Sequence, residues 1–303
     1  MKLEQLREML AIVEHGSLRA AARRLGIPQP ALTRTVHALE SELGVALFER
    51  ETRGMTLTAR GRLFHRRATA MVNELQKARD ELSQSAGLDE GTVVVALSIM
   101  PHLAMLPRAL PYFRKRYPKV RLHVIEGLFP DVEGRVRSGT IDFYVGAAPR
   151  DPPAPGLVTR ILVENTRAVV GRKGHPLSTT AGRPRSLREL AGTPWAVTAL
   201  DYDAESDFRH LFAAHGLPDP VIALRVHSAM SLMVALASTD HLAMLPVQWK
   251  EFPLTRDALQ IIPVKERLPA PAIILTRRPD LPLTPAAEFF CDALLRYLPA
   301  QPR

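Results

Sequence analysis

Apolar residues open the chain in a helical rhythm. Leu3, Leu6, Leu10 and Val13 recur at spacings of three, four and three, lining one face of a first helix that Gly16 closes. Ser17 is a plausible N-cap for Leu18 to Leu25, a short helix whose alanines allow close approach of a neighbour and which Gly26 stops. Pro28 and Pro30 fit only a first helical turn, and Leu32, Val36, Leu39 and Leu43 then continue at helical spacing as far as Gly44. With that face turned inward, Gln29, Thr33, Arg34 and His37 occupy the opposite side. Leu47 to Thr58 reads as two short extended runs around a glycine-containing turn, a hairpin wing.

From Thr58 to about Ser85 there is no proline and only Gly61, while Phe64, Ala68, Met71, Leu75, Ala78 and Leu82 form a heptad-like seam. Such a helix reaches roughly 40 Å at ~1.5 Å per residue, and the seam predicts pairing of two chains, with packing on its own domain as the competing explanation. Ser83 to Gly91, small and polar, reads as a hinge. Beyond Gly91 short β-branched runs alternate with helical stretches, which predicts an α/β domain with largely parallel sheets. Strands are expected at Thr92–Leu97, Val120–Ile125 and Ile141–Val145, with helices at Pro101–Tyr117 and Asp131–Ser138. A proline-rich break at 149–153 separates a second set: strands at Ala168–Val170, Trp195–Val197, Val221–Leu224 and Leu242–Leu245, and helices at Asp203–His215 and Ser228–Ala237. The chain returns with Ala272–Leu275 and a terminal helix, Pro285–Tyr297.

A length of 303 residues suits two or three domains. No stretch approaches the ~20 apolar residues of a membrane span, and the acids near Met1 do not suit a signal peptide, so a cytoplasmic protein is expected. The single Cys291 cannot form an internal disulfide, and its apolar helical setting favours a buried structural thiol over a redox sensor. The net charge is +9, and between Arg19 and Arg67 ten arginines face four acids, which points to a polyanionic partner. The polar face of the third helix fits that partner. Arg bonds guanine bidentately, Gln does the same with adenine, and Thr reaches phosphate or a thymine methyl. For a single polar face taken alone, a solvated surface is the ordinary explanation; the three-helix spacing and the surrounding arginines favour double-stranded DNA.

Five blocks in order carry a more specific resemblance: Ser17-Leu18-x-x-Ala21-Ala22-x-x-Leu25, Gln29-Pro30-Ala31-Leu32-Thr33-Arg34, Leu39-Glu40-x-x-Leu43-Gly44, Leu47-Phe48-x-Arg50-x-x-Arg53 and Leu57-Thr58-x-x-Gly61. The chain resembles the LysR family of bacterial transcriptional regulators. That resemblance implies DNA contacts from Gln29, Pro30, Thr33 and Arg34 on the recognition helix and from Arg50 and Arg53 on the wing. Pro28 and Arg60 depart from the pattern, which often has Ser or Thr at the first and a small residue at the second. Leu106-Pro107, Phe113-x-x-x-Tyr117-Pro118, Gly139-x-x-Asp142, His175-Pro176-Leu177 and Leu245-Pro246 continue the likeness, with His241 standing where relatives often have Gly. The implied fold is an all-α winged helix-turn-helix DNA-binding domain (1–58), a dimerising linker helix and hinge (59–90), and an α/β two-lobed effector domain resembling type 2 periplasmic binding proteins (91–303). Lobe I would comprise about 91–162 and 267–303, and lobe II about 163–266.

Ligands of open α/β sheets lie beyond the carboxyl ends of strands, where helix N-termini present free N–H groups. This selects Ser98, Met100, His102, Phe129, Thr198 and Ser228 as effector contacts, with Ser98 and Ser228 suited to an anionic group. Residues 91–303 carry a balance of +7, which also favours an anionic effector. The segments at 216–220 and 281–287 are similar to those of regulators of aromatic sulfonate or carboxylate degradation.

Hydrolase, phosphate-loop and zinc-protease motifs are absent from the sequence, and His210 and His215 are poorly spaced for two metal ligands on one helix face. No cofactor and no catalytic activity are expected. The expected partners are double-stranded DNA and a small-molecule effector, with assembly to a homodimer or homotetramer, and RNA polymerase as a further partner. Two other readings stay open: an enzyme built on the two-lobed fold, which would leave the basic N-terminal module unexplained, and a purely architectural DNA-binding protein, which would leave the α/β domain without a role.

Overall fold

The computed structural model describes residues 1–51, 54–129, 131–153, 155–178, 184–198, 204–251, 253–279 and 281–299. It divides into two compact units: Met1–Gly91 with Arg137–Thr140, and Thr92–Val136 with Ile141–Arg303. No helix among the described residues is long and apolar enough to cross a membrane.

The first unit begins with α1 (Leu3–His15), α2 (Leu18–Leu25) and α3 (Gln29–Leu43). Ser17 starts α2 by accepting a hydrogen bond from Ala20 N at 3.2 Å, and Gly26, in the left-handed region at φ 68°, makes the tight turn towards α3. Ala21 and Ala22 are buried beside Leu6, Met9, Ile12, Leu32, Val36 and Leu39, so the small face of α2 lets its two neighbours close on one core. β1 (Phe48–Glu51) and β2 (Gly54–Leu57) pair antiparallel, with Phe48 opposite Leu57. Two contacts dock this hairpin. Met55 N donates to Gly16 O at 3.1 Å, and the Glu40 carboxylate accepts from Leu47 N at 2.8 Å and Phe48 N at 3.1 Å.

Helix α4 (Ala59–Ser85) follows, capped by Thr58, whose hydroxyl accepts from Gly61 N at 2.9 Å. Its apolar seam divides instead of running uniformly. Phe64 and Ala68, with Val72, pack into the three-helix core, whereas Met71, Leu75 and Leu82 are 50%, 37% and 72% exposed. Gly61 explains itself by distance: a Cβ there would stand 1.9 Å from the Leu47 carbonyl oxygen.

The second unit opens with β3 (Thr92–Leu97), α5 (Ile99–Ala104), α6 (Leu106–Arg116), β4 (Arg121–Glu126), α7 (Glu133–Arg137) and β5 (Phe143–Ala147). The single helix expected over 101–117 is two helices broken at Met105, because Pro107 has no N–H for the preceding turn and restarts the helix from its own first turn. β3 runs parallel to both β4 and β5. Buried Asp142 pins the β3–β5 edge: its carboxylate accepts from Val94 N at 2.8 Å and its own N–H donates to Val94 O at 2.7 Å. β6 (Val158–Arg172) is fifteen residues long, against the three expected at 168–170. Its first half carries Thr159, Arg160 and Glu164 among its apolar positions, and its strand character comes from partners distant in sequence.

There follow α8 (Leu187–Leu190), β7 (Trp195–Thr198), α9 (Ala204–Ala214), β8 (Ile222–Val226), α10 (Ala229–Ser238), β9 (Ala243–Pro246), α11 (Pro253–Arg256), β10 (Leu259–Ile262), β11 (Pro269–Arg277) and α12 (Pro285–Leu295). Asp203, the expected start of α9, lies outside the described residues. β10 was not expected. β7 and β8 are parallel, but β11 is antiparallel to β5 and β6, and β9 and β10 are antiparallel to β6. The largely parallel expectation therefore holds within the βα units and fails along the return. One core gathers Phe113 of α6, Phe143 of β5 and Phe290 and Cys291 of α12. In another, Trp195 meets Phe208 and Phe212 edge-on, with ring centroids 5.1 and 5.7 Å apart.

Two tests follow from this packing. Gly61→Ala should destabilise the first unit by roughly 1–3 kcal/mol, as overpacking does, read as a lowered midpoint in thermal unfolding; an unchanged midpoint would mean that the wing yields freely. Burial pushes the Cys291 thiol up to about 12, and only thiolate is nucleophilic. A thiol reagent at pH 8 should leave the native protein unlabelled and label one site after denaturation. Rapid labelling of the native chain would contradict the buried structural role.

Candidate functional site

In the second unit, β6 and β11 carry the chain between two α/β layers. β6 pairs with β11 up to Thr166, opposite Pro269, and from Arg167 onward it pairs with β9, starting opposite Pro246. Beside this crossing lies a cavity of about 440 Å³, a size that fits a small organic ligand. Its walls are mostly apolar, with Met100, Phe129, Phe208, Leu232 and Pro246 among them. Phe129 is held edge-on to Tyr144, with centroids 5.0 Å apart, and Met100 is rooted in the core under β3.

Several polar groups converge on this apolar space. Ser98 Oγ accepts from Ala147 N at 3.2 Å, leaving its own proton to donate. Thr198 ends β7 at the wall. Asn165 is buried, and its Oδ1 accepts from Thr166 N at 3.0 Å. Arg167 lines the cavity, and burial lowers its pKa from the ordinary guanidinium value while the charge of Asp207 pulls the other way. Asp207 is itself paired: Arg150, on the segment after β5, reaches its carboxylate from across the cavity mouth at 2.8 Å. Glu133 and Asp151 are the remaining acids of the lining.

Of the six residues selected from the sequence, Ser98, Met100, Phe129 and Thr198 line this cavity. His102 does not. One helical turn beyond Ser98, its ring folds back so that Nδ1 lies 3.1 Å from the Ser98 carbonyl oxygen. Ser228 is also outside the lining, because its hydroxyl caps α10, accepting from Ser231 N at 3.1 Å and donating to Ser231 Oγ at 2.9 Å. Sequence reasoning missed Asn165, Arg167 and the Arg150–Asp207 pair. Asn165 and Arg167 fall in a polar stretch, Glu164-Asn165-Thr166-Arg167, between two short apolar runs, which reads locally as a loop and leaves no trace of a cavity wall; the ion pair joins residues too far apart in sequence to leave any.

In the first unit, α3 buries Leu32, Val36 and Leu39. Gln29, Pro30, Arg34 and His37 are exposed, and Thr33 is half-buried with its hydroxyl donating to Gln29 O at 3.3 Å. Arg50 belongs to β1, with its side chain outside the described part of the molecule, and Arg53 lies outside the described residues altogether. Arg62 is exposed as well, with its Nη1 donating to Leu57 O at 2.6 Å. Among the described residues no group of three or more His, Cys, Asp or Glu could hold a metal ion.

Comparison with known proteins agrees with both halves of this geometry. Residues 3–62 match the family described as bacterial regulatory helix-turn-helix protein, lysR family, and residues 86–299 match the LysR substrate binding domain. The chain is 27% identical over 294 residues to the HTH-type transcriptional regulator GbpR of Azospirillum brasilense, covering 97% of this chain and 86% of that one. Its fold is similar to that of CbnR, a LysR family transcriptional regulator, with a TM-score of 0.69 at 22% identity, covering 98% of this chain and 99% of the other. It is similar too to full-length CbnR complexed with its target DNA, with a TM-score of 0.67 at 22% identity over 98% of this chain and all of that one. With both family matches spanning most of its length, the chain belongs to the LysR family of transcriptional regulators.

Proposed function

We propose that this regulator binds a pseudo-palindromic promoter site as a homodimer or homotetramer in the cytoplasm and responds to a small anionic effector with an aromatic body, held in the cavity beside β6. In this reading residues 1–58 form the DNA-binding domain, 59–90 the pairing helix and hinge, and 91–303 the effector domain. Its lobe I is about 91–162 with 267–303, and its lobe II about 163–266. Gln29, Pro30, Thr33 and Arg34 read the major groove, and Arg50 and Arg53 hold the backbone or the minor groove. RNA polymerase is the further partner through which the bound protein would act.

The observation that supports the reading most is the presence of two separate chemistries on one chain: a solvent-facing polar side on α3 within an arginine-rich unit, and a ligand-sized apolar cavity in the other unit. The exposed Met71, Leu75 and Leu82 on α4 support pairing of copies, because an apolar stripe of this length is stabilised by a second helix. Ser98, Met100, Phe129 and Thr198 are the effector contacts of this reading.

Capture of genomic DNA on the purified protein, at a stated salt concentration and with excess competitor, should enrich a short inverted repeat. Arg34→Ala should weaken binding to that repeat by ~1–3 kcal/mol, as loss of a base or charged phosphate contact does. An affinity unchanged by the substitution would take Arg34 out of the interface. Thr198→Trp should fill the cavity, leaving repressed or basal occupancy of the repeat intact while abolishing the response of a reporter driven by it to growth-substrate changes. A response that survives the tryptophan would move the effector elsewhere.

A further inference from the structure

Between β5 and β6 the chain passes along one side of the cavity with little of its own to hold it. Ala148 N donates to Ala272 O at 2.8 Å, and the next five residues, Pro149, Arg150, Asp151, Pro152 and Pro153, all line the cavity. Three of them are prolines, which have no N–H to donate, and among the described residues no backbone hydrogen bond holds the five. The proline rings also stiffen the backbone, since each fixes its own φ and biases the residue before it towards extended conformations. The segment is a stiff strap outside any ladder.

Its polar tether is Arg150. The guanidinium bonds the Asp207 carboxylate on α9 at 2.8 Å, and Nη2 lies 3.5 Å from His210 Nδ1 on the same helix. The His210 ring is turned onto its own helix, with Nδ1 2.7 Å from Ser206 O, so Asp207 is the stronger partner. Both members of the ion pair line the cavity, and both keep contact with water, with side chains 52% and 35% exposed. A pair that borders the cavity and the solvent at once stands at the opening. Exposed pairs of this kind contribute little to stability, so this one breaks and reforms readily. Its release does not isolate the carboxylate, because the charge of Asp207 also acts on Arg167, which lines the same cavity.

We infer that residues 149–153 form a strap across the opening of the cavity and that the Arg150–Asp207 pair is its latch, which breaks when a molecule enters or leaves and reforms behind it. This concerns access, not what the cavity selects, and holds for any occupant. The consequence is kinetic. For a ligand that does not touch the pair, the latch slows entry and exit by the same factor and leaves the equilibrium affinity unchanged, because such a ligand does not distinguish the latched state from the open one.

The latch can be tested on the full-length protein without a ligand. A thiol placed in the lining, Thr198→Cys or separately Ser98→Cys, is labelled with N-ethylmaleimide, a small neutral reagent, and the rate is followed by mass spectrometry, with protein carrying only the buried Cys291 as the blank. Removing the latch by Arg150→Gln or Asp207→Asn should speed labelling about 2- to 5-fold, the factor expected of one exposed ion pair. The double variant should be no faster than the quicker single one, and the exchange of Arg150→Asp with Asp207→Arg should return the rate towards that of the parent. High salt should speed the parent and leave Arg150→Gln as it is. An altered thiolate fraction gives a different pattern, since losing the cation and losing the anion would then move the rate in opposite directions. Rates unchanged in either single variant, rates moving in opposite directions, or no labelling in any variant would each overturn the latch. The reporter separates the two levels: a response lost in Thr198→Trp together with labelling unchanged by Arg150→Gln keeps the cavity as the effector site and removes the gate.

Discussion

The antiparallel ladder between β6 and β11 is the constraint on which the second unit depends. β6 is long enough to take part in both sheets, pairing with β11 through Thr166 and with β9 and β10 beyond it, so one strand provides the passage beside which the cavity lies. The register is interrupted between Ala270 and Ile273, and the local sequence explains it: Pro269 and Pro271 have no N–H to give to the ladder. The interruption falls next to Asn165 and Arg167, the polar residues that face the cavity.

Much of this was legible along the chain, and the successes share a cause. In the first unit each helix carries its own start, stop and apolar period, so Ser17, Gly26, Pro30 and Gly44 punctuate it without reference to anything distant. The α/β units were visible for the same reason, since β3, β7 and β9 are continuous apolar runs. The failures share a different cause. β6 is a strand because β11, β9 and β10 pair with it, and β10 because β6 does; neither condition is written locally. The break at Met105 was readable in principle from Pro107, but the apolar period on either side masked it.

The cavity divides in the same way. Ser98, Met100, Phe129 and Thr198 follow from the rule that ligands sit beyond strand ends, a rule about topology. His102 and Ser228 satisfy the rule by position and miss the cavity because their hydrogen-bonding groups turn back onto their own helices. Arg167 lies in the middle of a strand, where the rule does not look. That it lines the cavity is visible only once the strands are assembled.

Gly61 carries a consequence for how the recognition helix is aimed. The absence of a side chain there lets α4 lie directly on the backbone of Leu47, and Phe64 and Ala68 extend that contact into the core, so head and helix cannot rotate independently. The azimuth of α3 is thereby indexed to the residue count along α4. One residue inserted after Val72 would turn a paired partner by about 100°, while seven would restore the original phase to within about 20°. In an assembled pair, the relative orientation of the two reading heads is a matter of angular register as much as of reach.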